Sequence, residues 1–202
     1  MQQNEAKTSD LLLWQQFQAG NASALESLMT LYFRILFNYG TKFCANPETI
    51  KDFIQELFLH LWENRHKLNA EVHVKAYLLA SLRRRIHRGL KSKSNQPFAN
   101  SLTLELTLDF VLEVSVEDMY IQDEGARALA LEVKNQLQNL PQRQREVVYL
   151  KFFEGLSREQ IGEIMGINDQ SISNLLQLAL KRLKANWRHA AISLLTVSLQ
   201  QV

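Results

Sequence analysis

A chain of 202 residues that is 46% hydrophobic and 22% charged can bury one large core or two small ones, and it is too apolar for a disordered segment and too varied for a fibre. Its formal net charge of +2 hides a segregation: Val72 to Leu104 holds seven basic residues and no acidic one, whereas Glu105 to Glu124 holds seven acidic residues and no basic one. The single cysteine, Cys44, excludes an internal disulfide, no apolar run approaches the ~20 residues that span a bilayer, and the opening residues carry no export pattern, so a protein of the reducing cytoplasm is expected, with Cys44 as a small buried apolar residue.

Three prolines, seven glycines and long stretches of 3.6-residue periodicity predict an all-α fold, two helical domains joined by an extended acidic linker. Asp10 can cap a short first helix, Leu11–Gln18, which Gly20-Asn21 breaks. A second helix carries Leu25, Leu28, Tyr32, Ile35, Leu36 and Tyr39 on one face and ends before Asn46-Pro47. The third runs from about Glu48 to Lys67, with Ile50, Phe53, Ile54, Leu57, Phe58 and Leu61 spaced as a core-facing stripe. The fourth, from about Val72 to Leu90, is apolar early and basic late. These form a domain over 1–91. Along residues 92–122 the apolar positions Leu102 to Val116 alternate with mainly polar or acidic ones, which means extended backbone, either a ribbon lying on a neighbour or a connector between domains. A second domain, 123–202, resumes with helices to Asn139, from Pro141 to about Phe153, and through a two-helix unit at 158–177 whose second helix can run on to Trp187. The tail from Ala190 either covers this domain or meets a partner.

The two-helix unit fits a helix-turn-helix. Gly162 is small where the helices touch and Gly166 tolerates positive φ in the turn. Ile161, Met165, Ile167, Ile172 and Leu175 form an apolar seam. Ser157 with Gln160 offers a capping box, and Asn168 or Asp169 can cap the second helix. That helix turns Ile172, Leu175, Leu176, Ala179 and Leu183 inward, leaving Gln170, Ser171, Ser173, Asn174 and Gln177 for a DNA groove, with Lys181, Arg182, Lys184 and Arg188 for its backbone. On the third helix, Asp52, Gln55, Leu59 and Trp62 form a stripe opposite the core face, flanked by Glu56 and Glu63; either it faces water with Trp62 folded back, or it docks on a basic partner. The run Arg83-Arg84-Arg85 with Arg88, Lys91 and Lys93 suits phosphate contact, and Tyr77 is either a core residue or a platform for an unpaired base. No catalytic or metal-binding spacing occurs among the five scattered histidines and the lone cysteine, so neither an enzyme active site nor a cofactor nor a small-molecule substrate is expected.

Taken together, these features resemble a sigma-70 family transcription initiation factor of the small extracytoplasmic-function group. Asp52-Phe-Ile-Gln-Glu-Leu-Phe-Leu-His-Leu-Trp62 is similar to the family's core-polymerase-binding motif, which implies contacts from Asp52, Gln55, Glu56, Leu59 and Trp62 to core RNA polymerase. Lys75 to Arg85 aligns with the segment that opens and reads the −10 element, implying roles for Tyr77, Arg83, Arg84, Arg85, Arg88 and Lys91. Leu140 to Ser157 matches the entry to the domain that binds the −35 element, which implies DNA contacts from Ser157, Asp169, Gln170, Ser171, Ser173, Asn174, Gln177 and Lys181. The connector Phe110 to Glu117 is similar to versions of the family in Bacteroidetes, where partners are often membrane-bound anti-sigma factors; such an inhibitor is a further implied partner. Tyr77 stands where the family usually has tryptophan, Arg84 where it has asparagine, and Leu175, Leu178 and Leu180 where arginines are common. A helix-turn-helix regulator that never replaces a polymerase subunit is the alternative, and a protein-binding adaptor is a second.

Overall fold

A computed structural model describes the backbone of residues 2–93, 110–111 and 132–199, and their side chains except at 2–8, 91–93 and 186–199. The chain divides into two units, the first drawn mainly from residues up to Asp109 and the second mainly from Phe110 onward. The regular secondary structure of the described residues is helical in both units, as the periodicity predicts.

The first unit is a four-helix bundle of α1 (Gln2–Gln18), α2 (Ala22–Gly40), α3 (Pro47–Glu63) and α4 (Val74–Lys93), with a single 3-10 turn at Arg65–Lys67. Asparagine starts two of them. Asn21 Oδ1 accepts from the N–H groups of Ser23 and Ala24 at 3.0 and 3.3 Å, and Asn46 Oδ1 from those of Glu48 and Thr49 at the same distances, satisfying donors the first turn leaves orphaned. Pro47 follows at the position where a missing N–H costs nothing. The expected core stripe of α3 is buried at all six positions, each contributing about 1.5–3 kcal/mol of burial. Three expectations need correction. Helix α1 begins upstream of Asp10, and Asp10 accepts a hydrogen bond from the Tyr32 hydroxyl instead of capping a helix. Helix α3 stops at Glu63, where the chain tightens into the 3-10 turn. Cys44 is partly exposed, its thiol 3.9 Å from the Asn46 carbonyl oxygen. Burial, the hydrogen bond to Asp10 and that carboxylate's charge, in that order, push the Tyr32 hydroxyl far above its usual pKa, so it remains a proton donor.

Helices α2 and α3 meet closely enough that α2 ends on a glycine. A Cβ placed on Gly40 falls 2.5 Å from Ile50 Cγ2, a methyl on a fully buried side chain. Gly40→Val is therefore expected to destabilise the protein by about 1–3 kcal/mol, read as a lower denaturation midpoint; an unchanged midpoint would show that the α2–α3 contact gives way without cost.

Beyond Phe110 the chain forms helix α5 over the described residues 132–138, α6 (Gln142–Val148) continuing as one π turn at Tyr149–Phe153, then α7 (Arg158–Met165) and α8 (Asp169–Leu199). Helix α8 runs further than Trp187. The buried rings of Phe110 and Tyr149 meet edge to face at 5.7 Å, and Tyr149 stacks on Phe153 at 5.6 Å. Tyr149 donates to Glu154 Oε1 at 2.7 Å, and burial, then the Glu154 charge and hydrogen bond, hold its hydroxyl protonated. Apart from Phe110 and Val111, the predicted ribbon lies outside the described residues, as does most of the linker; the side chains of Lys91, Arg188 and the tail from Ala190 lie outside them too.

Candidate functional site

The α3 stripe stands in solvent because the six apolar residues of the same helix are turned into the core. Asp52, Gln55, Glu56 and Leu59 are exposed, Leu59 to 57%. An apolar side chain that open, set among two carboxylates and an amide, is what a docking surface offers an apolar and basic partner. Trp62 behaves differently. Its ring is half-buried, 6.4 Å from the Phe17 ring on one side, while Arg65 lies 4.4 Å over the ring and donates to the Trp62 carbonyl at 2.7 Å. Trp62 thus folds partly back onto the bundle, with one ring face capped by a cation beside the stripe.

The basic run on α4 is not a uniform surface. Arg83 is buried, whereas Arg84 and Arg88 are exposed, Arg84 Nη2 donating to Ser81 Oγ at 3.0 Å and Arg88 Nε to the Arg84 carbonyl at 3.3 Å. Arg85 Nη1 pairs with Glu56 Oε2 at 3.1 Å, so one residue of the basic run is tied to one of the acidic stripe. Tyr77 packs edge to face on the buried Trp14 at 5.3 Å and stays partly exposed. It belongs to the core on one side and remains accessible on the other.

In the second unit both arms of the capping box form: Gln160 N–H donates to Ser157 Oγ at 3.2 Å and Ser157 N–H to Gln160 Oε1 at 2.8 Å. Gly166 takes φ of +66° in the turn, as expected of the residue there. Asn168, not Asp169, caps α8, its Oδ1 accepting from Ser171 N–H at 2.8 Å. Ile161, Met165, Ile172 and Ala179 are buried, and Ile167, Leu175, Leu176 and Leu183 half-buried. The first turns of α8 bring the expected polar row together: Asp169, Gln170, Asn174 and Gln177 are exposed, Ser171 and Ser173 partly so, and Lys181, Arg182 and Lys184 follow in solvent. Gln170 Nε2 donates to Asn174 Oδ1 at 3.1 Å, which fixes an amide pair on the surface. One residue absent from the sequence reading joins them. Arg158, at the start of α7, donates through Nη1 to Ser173 Oγ at 3.1 Å and lies with Nε 3.6 Å from Asp169 Oδ1. Arg158 and its two partners lie on separate helices, so no single helical period links them, and only its isolation as a cation could have drawn notice. Among the described residues no group of three or more His, Cys, Asp or Glu could hold a metal ion, and no helix is long and apolar enough to cross a membrane.

Two family models match the chain, sigma-70 region 2 over residues 28–96 and sigma-70 region 4 over residues 130–183. Among curated proteins, the RNA polymerase sigma factor SigF of Mycobacterium tuberculosis is 42% identical over 48 residues; the match is 24% of this chain, which spans only 18% of that relative's length. Among solved structures, CnrH in complex with the cytosolic domain of CnrY superposes with a TM-score of 0.58 at 18% identity, covering 89% of this chain and 97% of that one. The sigma factor RpoE of Bartonella quintana, in complex with the anti-sigma factor NepR, gives 0.54 at 18% identity over 81% of this chain and 96% of that one. These two likenesses show the fold.

Proposed function

Since the chain carries region 2 and region 4 of the sigma-70 family in that order, we propose that it is an initiation factor of the extracytoplasmic-function group, which binds core RNA polymerase in the cytoplasm and directs it to promoters. The first domain, 1–91, docks through Asp52, Gln55, Glu56 and Leu59 and opens the −10 element, with Arg84, Arg88 and the accessible side of Tyr77 toward the DNA. The second, 123–202, sets the polar row of α8 in the major groove at −35, and the acidic linker, 92–122, connects them. An anti-sigma factor is the expected inhibitor, since both solved likenesses were captured with a bound partner and RpoE's is named as one.

The observation that carries this reading is the exposed stripe of α3, because a regulator working through its helix-turn-helix alone has no use for it. Run-off transcription tests it, with sigma-free core polymerase and a pool of upstream genomic fragments. Transcripts that require the added protein are expected. Sequence-specific DNA binding without transcripts or comigration with core would replace this reading with a simple DNA-binding regulator.

A further inference from the structure

Between Arg158 and Lys181 the chain has no lysine or arginine, but it has Glu159, Glu163 and Asp169. The helix-turn-helix therefore presents a net negative segment to a polyanion. A recognition helix usually meets the bases with its first turns, and there the only charge α8 itself supplies is the carboxylate of Asp169. Phosphate contact and counterion release need a cation at this surface. The one within reach is Arg158. Its side chain is 56% exposed, yet two of its guanidinium nitrogens are held by the recognition helix, Nη1 by Ser173 and Nε by Asp169, residues one turn apart on one face. Asp169 is thereby neutralised, and the planar guanidinium lies across the first turn of α8. The remaining nitrogen, Nη2, has no partner among the described residues.

We propose that Arg158, reaching from the preceding helix, is the cationic DNA contact at the first turns of the recognition helix, positioned by Asp169 and Ser173 to engage a phosphate or a guanine edge where α8 has no basic residue before Lys181. The inference rests on region 4 binding DNA. A surface ion pair is worth little by itself, so Asp169 holds the guanidinium loosely enough for DNA to compete for it. A lysine cannot reproduce the fork that grips two partners and keeps a donor free.

The test is selection of a randomised duplex pool by the full chain, followed by affinity of the enriched sequence across a salt series. Arg158→Ala is expected to weaken binding about ten-fold or more, with circular dichroism unchanged because the residue is on the surface. A phosphate contact lowers the slope of log affinity against log salt by about one and leaves base preference intact, and Arg158→Lys then restores most of the affinity. A base contact leaves the slope nearly unchanged and flattens the preference at one position, which Arg158→Lys does not restore. Ser173→Ala, which removes one of the two contacts that hold the guanidinium, is expected to reproduce part of the loss. If the parent chain enriches no sequence, region 4 does not bind DNA on its own and the proposal falls with that reading. If the parent enriches a sequence and Arg158→Ala binds it with equal affinity and slope, the assignment of Arg158 alone is overturned.

Discussion

The double substitution Asp52→Lys with Glu56→Lys is expected to abolish binding to core RNA polymerase, seen as loss of comigration in gel filtration and of transcription in the run-off assay. Both carboxylates stand in solvent on α3. Reversing them turns two proposed attractions into two repulsions. At about 2–5 kcal/mol for each truncated pair at a buried interface, the loss is on the order of a thousand-fold or more. The fold should survive. Asp52 makes no ion pair among the described residues, and Glu56 gives up only its contact with Arg85, a pair open to solvent on the Glu56 side and worth about 1 kcal/mol. Glu26→Lys with Glu71→Lys, two exposed carboxylates outside α3, controls for the change in net charge. Comigration of the double variant at parental affinity would remove α3 as the docking helix and with it the main support for the initiation-factor reading.

Glu56 also makes the prediction asymmetric. Because Glu56 holds Arg85, a partner that binds the carboxylate must displace that guanidinium. Glu56→Lys alone should therefore cost less in polymerase binding than Asp52→Lys alone, since displacing Arg85 already offsets part of what the Glu56 carboxylate contributes.

What was legible in the sequence is what depends on local spacing. The buried stripe of α3 obeys a single period, and both arms of the Ser157–Gln160 box and the turn at Gly166 follow from residue types at fixed short separations. What was not legible depends on pairs distant in sequence or on competition for one group. Asp10 has the chemistry of a cap, but the Tyr32 hydroxyl claims its carboxylate. Arg83 belongs to a basic run, but it occupies a buried position among the apolar residues of α4. Trp62 is folded back toward Phe17, with Arg65 of the following 3-10 turn over its ring. Arg158 lies outside the recognition helix and joins its surface only once α7 and α8 are folded.

Trp14→Ala is expected to have the largest effect on the first unit. The side chain is fully buried, contacts Phe17 and Tyr77 with ring centroids 5.3 Å away in each case, and donates its indole N–H to the Asn69 carbonyl at 3.0 Å. Removing it leaves a cavity and an orphaned carbonyl, at about 3–5 kcal/mol for a Trp-to-Ala change in a core. A small domain has only about 5–15 kcal/mol of stability in total. The denaturation midpoint should fall steeply. Trp14→Phe separates the two terms: most of the apolar area stays while the Asn69 carbonyl loses its donor, so a loss of about 1–3 kcal/mol is expected. The consequence for function runs through Tyr77, whose inner edge rests on Trp14. If Tyr77 supports an unpaired base, Trp14→Ala should impair promoter opening even at temperatures where the protein is still folded, and Trp14→Phe should restore it by restoring the support. A Trp14→Ala protein that keeps the parental midpoint would show that α1 does not anchor the bundle. Full stability loss with normal opening at low temperature would instead detach Tyr77 from the DNA and leave it as a core residue only.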